Sequence, residues 1–206
     1  MNKCSLVEPY QGFLTETEWI LDSFNVALSG LTLIAGHHSH RLVCEMAVLR
    51  LHDAWARFCR ELVVLSAGCK PYTATGSRLA LAPGITCRKD VIPKLLSTYN
   101  KTKYEPSWST AAKCLDAAQR LAIPNLSTVT AAVGATNSPA EELRNVRNFY
   151  AHRWQDTALK VKQQSFYSNP TSLNVEELLG QSVSPATTRM EVWIRLLRLV
   201  AFSAIQ

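Results

Sequence analysis

Apolar residues recur every three or four positions along most of the chain and almost nowhere alternate with polar ones. From Leu42 through Met46, Val48, Leu49, Leu51, Trp55, Phe58, Leu62, Val63 and Leu65 the spacing runs unbroken, the mark of a helix that buries one stripe. No glycine or proline interrupts His37–Ala67, so the pattern predicts a single long helix with Ser39 as its cap. Ahead of it, Thr15 and Glu18 make a capping-box pair before Trp19, Ile20, Leu21, Phe24, Val26, Leu28 and Leu31. That predicts a first helix ending near Gly36.

Downstream, Pro71, Gly76, Pro83 and Gly84 break the chain into a loop insertion at about 68–89, with one short apolar piece at Leu79–Leu81. A short helix is expected over Asp90–Tyr99. Ser107 or Ser109 opens another, through Ala111, Ala112, Leu115, Ala118 and Leu121, which stops at Pro124. Leu126–Val133 makes one more. Ser138, Pro139 and Glu141 supply an N-cap, a proline at the first helical position and a capping-box acid. They introduce a helix whose apolar side is Leu143, Val146, Phe149 and Tyr150. An additional C-terminal helix at about 184–206, entered through Ser184-Pro185, carries Met190, Val192, Trp193, Leu196, Leu197, Val200 and Phe202. The expected fold class is all-α.

Composition narrows the picture. A chain of 206 residues with 47% hydrophobic and 18% charged residues can bury a core and is not disordered, and it is read as one domain, 1–206. Lys and Arg number 22 against 16 Asp and Glu, which favours an anionic partner. The N-terminus has no apolar signal region, and Phe24–Gly36 is short of the roughly 20 residues a bilayer needs. A cytoplasmic protein without a membrane role is expected. The six cysteines show no C-x-x-C pair and read as reduced core residues. His37, His38 and His40 have no Cys or acid at ligand spacing until Cys44 and Glu45, so no metal is expected. Trp19, Trp55 and Trp193 sit on apolar stripes and read as core, whereas Trp108 and Trp154 are candidates for stacking on bases. Arg195 and Arg198 leave the last helix open to a membrane-surface role, although its apolar residues better suit a packed or dimer helix.

One segment carries chemistry: Arg147-Asn148-Phe149-Tyr150-Ala151-His152-Arg153. An imidazole titrates near cellular pH and can move a proton. A guanidinium fork suits a phosphate, and an amide can orient either without adding charge. These groups are the minimum for breaking an RNA phosphodiester without a metal: a base for the 2′-hydroxyl and a cation for the charge developing on phosphorus. At about 100° per residue, Arg144, Asn148 and His152 fall at about 0°, 40° and 80°, with Ala151 and Arg147 at about −20° and −60°. An Arg followed by a His five to seven residues later arises by chance about once in such a chain; R-N-x-x-x-H does so at about 1%. The same residues also suit a plain surface role, with Arg147 paired to Glu141, Glu142 or Asp156 and His152 at the helix C-terminus.

The R-N-x-x-x-H segment resembles the signature of HEPN-domain ribonucleases, an Arg and a polar residue followed by a His near the end of a helix. The long helix at His40–Ala67 fits the helical bundle of that family, and Leu51–Leu62 looks like its second helix. The resemblance spans residues 15–165. It implies a HEPN-like bundle with long antiparallel helices, a homodimer, and metal-independent endoribonuclease activity at a composite site that leaves a 2′,3′-cyclic phosphate. His152 would act on the 2′-hydroxyl or the leaving oxygen, Arg147 would hold the phosphate and Asn148 would position them. Arg144, Arg153 and Asp53 are further candidates for contacting RNA. The implied role is that of a toxin or antiviral-defence effector cutting tRNA, mRNA or rRNA, with an antitoxin or defence-system protein as possible partner and no cofactor. Where HEPN toxins controlled by nucleotidyltransferases carry a tyrosine two places after the histidine, this chain has Trp154, which argues against that control. The alternative is a non-catalytic HEPN-like dimer that binds RNA or a partner protein within a larger complex.

Overall fold

The computed structural model describes residues 4–30, 37–100, 104–135, 139–164, 179–180, 182–184 and 187–206. Among them are eight helices: α1 (Val7–Gly30), α2 (His37–Gly68), α3 (Arg88–Thr98), α4 (Ala111–Leu121), α5 (Leu126–Val133), α6 (Ala140–His152), α7 (Gln155–Lys162) and α8 (Arg189–Ala204). Two short strands, β1 (Ser182–Ser184) and β2 (Thr187–Thr188), pair antiparallel. The all-α reading holds, with this ribbon at the entry to the last helix. Two compact units emerge: Met1–Leu14, Trp55–Ser138 and Arg198–Gln206 form the first, Thr15–Ala54 and Pro139–Leu197 the second.

Several helix starts differ from expectation. α2 begins at His37, so Ser39 lies inside it rather than capping it, and α8 begins at Arg189, after the β1–β2 ribbon that contains Ser184. At α1 and α4 a different side chain supplies the cap. α1 begins well before Thr15, because the Ser5 hydroxyl accepts from the Val7 N–H at 3.1 Å and Pro9 is tolerated within a first turn. Thr15 and Glu18 therefore lie mid-helix, and Gly36 falls outside the described residues. α4 is capped by Thr110, whose hydroxyl accepts from the Lys113 N–H at 3.2 Å. Ser107 and Ser109, the expected caps, bond each other at 2.9 Å instead. Ala122, left-handed at φ 49°, ends that helix ahead of Pro124.

In the first unit, Trp55 and Phe58 of α2 pack with Phe13 of α1, ring centroids 5.5–6.0 Å apart. Leu62–Gly68 is buried on every side, as expected of a helix end enclosed by other elements. Gly68 is required there: a Cβ would lie 2.6 Å from Val91 Cγ2 and 2.8 Å from Arg88 Cα. The expected loop is present but anchored. Ala82 N–H donates to Ala67 O at 2.9 Å, Ala74 N–H to Ile205 O at 2.7 Å, and Leu6 N–H to Tyr72 O at 2.9 Å. α3 starts where the Asp90 carboxylate accepts from the backbone of Thr86 and Cys87, each at 3.0 Å, and from the Thr86 hydroxyl. Those bonds hold its pKa below the usual range.

In the second unit, Ile20, Phe24, Cys44, Val48 and Leu51 of α1 and α2 are buried, as are Leu143, Val146 and Tyr150 of α6 and Met190, Trp193, Ile194 and Leu197 of α8. α8 is fastened to α6 by the Trp193 indole N–H, which donates to Glu142 Oε2 at 2.8 Å.

Candidate functional site

α6 carries the R-N-x-x-x-H segment. Its start is favoured by Glu141 and Glu142 in the first turn, where acids offset the helix dipole. Pro139 takes the cap position and accepts from the Leu143 N–H at 2.8 Å; Ser138, the expected cap, lies outside the described residues. The helix ends at His152 because Arg153 turns left-handed, φ 50°, and returns its N–H to Phe149 O at 2.8 Å. Trp154 is extended, and its carbonyl accepts from Thr157 and Ala158 to start α7, a helix the periodicity did not reveal. This α6–α7 corner displays His152 and Trp154 to solvent, their rings 5.4 Å apart.

The remaining candidates divide. Arg147 is half-buried, and one terminal nitrogen donates to Asn148 Oδ1 at 3.3 Å. Among the described residues it makes no ion pair: Glu141 is taken by Arg144 and Glu142 by Trp193. Its Nε is buried without a hydrogen-bond partner. Arg144 and Arg153 are already committed, the first to Glu141 one turn earlier and the second to Glu45 of α2. The Arg153 guanidinium also stands 5.9 Å and 5.7 Å from the Phe149 and Tyr150 ring centroids. Ala151 is exposed beside them, Tyr150 is buried and Phe149 half-buried.

Asp53 reaches the site through a neighbour that the sequence reading passed over. His52 of α2 is only 8% exposed, and its Nδ1 lies 3.4 Å from Asp53 Oδ1, a carboxylate 67% exposed. Burial pulls the His52 pKa below 6.5; Asp53 opposes the shift, while the positive charges of Arg147 and, more weakly, Arg144 add to it. Burial thus disfavours a further positive charge at His52, within electrostatic reach of Arg147 and Arg144. Val48, His52, Trp55 and Cys59 form a three-and-four stripe, and a histidine standing in that stripe was the available signal.

Other candidates are placed more simply. Trp108 is buried and its indole N–H donates to Glu105 at 3.1 Å, so it presents no stacking face, in contrast to Trp154. Trp19, expected in the core, is 51% exposed, with the Arg50 guanidinium 4.4 Å above its ring. Arg198 donates to Leu14 O at 3.3 Å, while Arg195 is exposed. Of the cysteines, Cys44, Cys59 and Cys114 are buried, Cys4 and Cys69 half-buried and Cys87 exposed. The His37, His38 and His40 side chains lie outside the described residues, and among those described no cluster of three metal-ligating side chains occurs. No described helix is long and apolar enough to cross a membrane.

Compared with known proteins, the chain matches no family model, no curated protein and no solved structure.

Proposed function

We propose that this chain is a metal-independent endoribonuclease of the HEPN type, acting on cytoplasmic RNA as a toxin or antiviral-defence effector. The observation that carries the reading is an exposed His152 on the same helix as Arg147, a half-buried arginine with no carboxylate partner among the described residues. His152 accepts the ribose 2′-hydroxyl proton as that oxygen attacks phosphorus. The bond from phosphorus to the 5′-oxygen breaks, that oxygen takes a proton from water as it leaves, and a 2′,3′-cyclic phosphate remains. Arg147 supplies the positive charge for the additional negative charge on the phosphoryl oxygens, and Asn148 fixes the guanidinium. Within one helix Arg147 and His152 stand about 140° apart and about 7.5 Å along the axis. Convergence on one phosphate is therefore better served by two copies of α6, the histidine of one beside the arginine of the other, which is the reason for proposing a homodimer.

The test is cleavage of total RNA and purified tRNA in EDTA with end mapping. His152→Ala should lose about 10²–10⁴-fold in rate, the usual contribution of a positioned acid–base group, and Arg147→Ala about 10²–10³-fold, that of one charge-stabilising donor, both while binding RNA. Undiminished cleavage by His152→Ala would overturn the assignment.

A second reading is a non-catalytic helical dimer that binds RNA or a partner protein in a larger complex. It is favoured by the commitment of Arg144 and Arg153 to Glu141 and Glu45, which gives part of the motif a structural role. That reading expects RNA binding without cleavage, unchanged by His152→Ala.

A further inference from the structure

A shallow cavity of about 410 Å³ in the first unit is lined by Cys4, Glu8, Pro9, Glu61, Leu65, Cys69 and Arg88. Both of its cysteines are free and half-buried, and both line this one cavity. The backbone fixes this proximity. Tyr72 N–H donates to Cys4 O at 3.1 Å and Leu6 N–H to Tyr72 O at 2.9 Å, so the segment ahead of α1 pairs with the segment just beyond Cys69. Cys69 N–H in turn donates to Leu65 O at 3.1 Å, tying it to the end of α2. Two cysteines distant in sequence are thus brought to one cavity by paired backbone on one side and a helix terminus on the other, with an opening to solvent.

We propose that Cys4 and Cys69 are a redox modification site, closing to an intramolecular disulfide under a disulfide oxidant such as glutathione disulfide. The two thiols are not equivalent. Burial, the Cys69 sulfur and the Glu8 carboxylate push the Cys4 thiol up to about 12, with Arg88 pulling weakly the other way. Cys4 therefore stays protonated, leaving Cys69 as the entry point. The Cys69 thiolate attacks one sulfur of the oxidant, forming a mixed disulfide and releasing one glutathione thiolate. Cys4 then gives its proton to solvent, its sulfur attacks Cys69 and the second glutathione leaves as thiolate. The protein loses two electrons and two protons, and glutathione disulfide is reduced to two glutathiones. Arg88 is held at the cavity by Glu61, 2.6 Å away.

The closed ring encloses about 65 residues, including all of α1 and α2, a length for which restriction of the unfolded chain is substantial. Cys59 and Cys114 form a second thiol pair in this unit, but both are fully buried and out of reach of a solution oxidant in the native state.

The test is intact-mass and peptide mapping of the native full-length chain after glutathione disulfide treatment, in a Cys87→Ser background that removes the exposed thiol. A Cys4–Cys69 linked peptide, with Cys59 and Cys114 still free, and an apparent Tm about 5–10 °C higher that reverts with dithiothreitol is the expected result. Cys4→Ser should stop at a glutathione adduct on Cys69, and Cys69→Ser should take up none at position 4. Glutathione adducts without the internal link in the parent, or linkage only after denaturation, would overturn the proposal.

Discussion

Replacing Trp193 by Phe tests what holds α6, and with it the candidate site, in place. Trp193 is 1% exposed and its indole N–H donates to Glu142 Oε2 at 2.8 Å, joining α8 to the first turn of α6. A hydrogen bond to a charged acceptor is worth about 1.5–3 kcal/mol. Phe also leaves roughly 40 Å³ unfilled, which at about 24 cal/mol per Å³ adds about 1 kcal/mol. The half-buried Glu142 can recover a water, which places the sum near the lower end. The expected loss is about 3 kcal/mol, or about 6–12 °C in Tm for a chain of this size. Thermal and urea unfolding of Trp193→Phe, Glu142→Ala and the double variant would give the pair's coupling, expected at about 1.5 kcal/mol. Coupling below about 0.5 kcal/mol would refute the claim that this bond anchors α6.

Three further outcomes follow from the site. His52 has a lowered native pKa, so as pH falls below 6.5 the unfolded chain binds a proton that the native chain resists, and stability declines through that window. His52→Gln should flatten the acid limb of a Tm-against-pH curve; an unchanged limb would mean that His52 does not titrate on unfolding. Trp154, 68% exposed, should tolerate Ala with Tm unchanged within about 1 °C while RNA affinity falls about tenfold, the value of one stacked base. Titration of labelled RNA checks this, and equal affinity would remove Trp154 from the interface. Asn148→Ala should lower cleavage less than Arg147→Ala, because Asn148 only orients the guanidinium, and single-turnover rates would show a reversed order directly.

Periodicity and capping determined much of this protein without tertiary help. α2 is legible because its apolar stripe is long and uninterrupted, and α5 because Leu126–Val133 is bounded by Pro124 and Gly134. The arc shared by Arg144, Asn148 and His152 follows from helix geometry alone. Where local signals were duplicated, tertiary structure chose between them. Thr15 lost the start of α1 to Ser5, and Ser107 and Ser109 bonded each other and left α4 to Thr110. α7 was missed because Trp154 starts it through its backbone carbonyl alone.

The site divides the same way. Sequence named the residues with the right chemistry, but an ion pair depends on which carboxylates the fold brings near. Arg153 meets Glu45 across 108 positions, while Arg147, with acids on its own helix, meets none of them. His52 acquires its lowered pKa from burial and from charges on α6. Cys4 and Cys69, scattered in sequence, are brought together by the backbone pairing around Tyr72. Spacing along a helix fixes direction at short range, whereas burial, charge environment and long-range proximity belong to the packed chain, because each depends on groups far away in sequence.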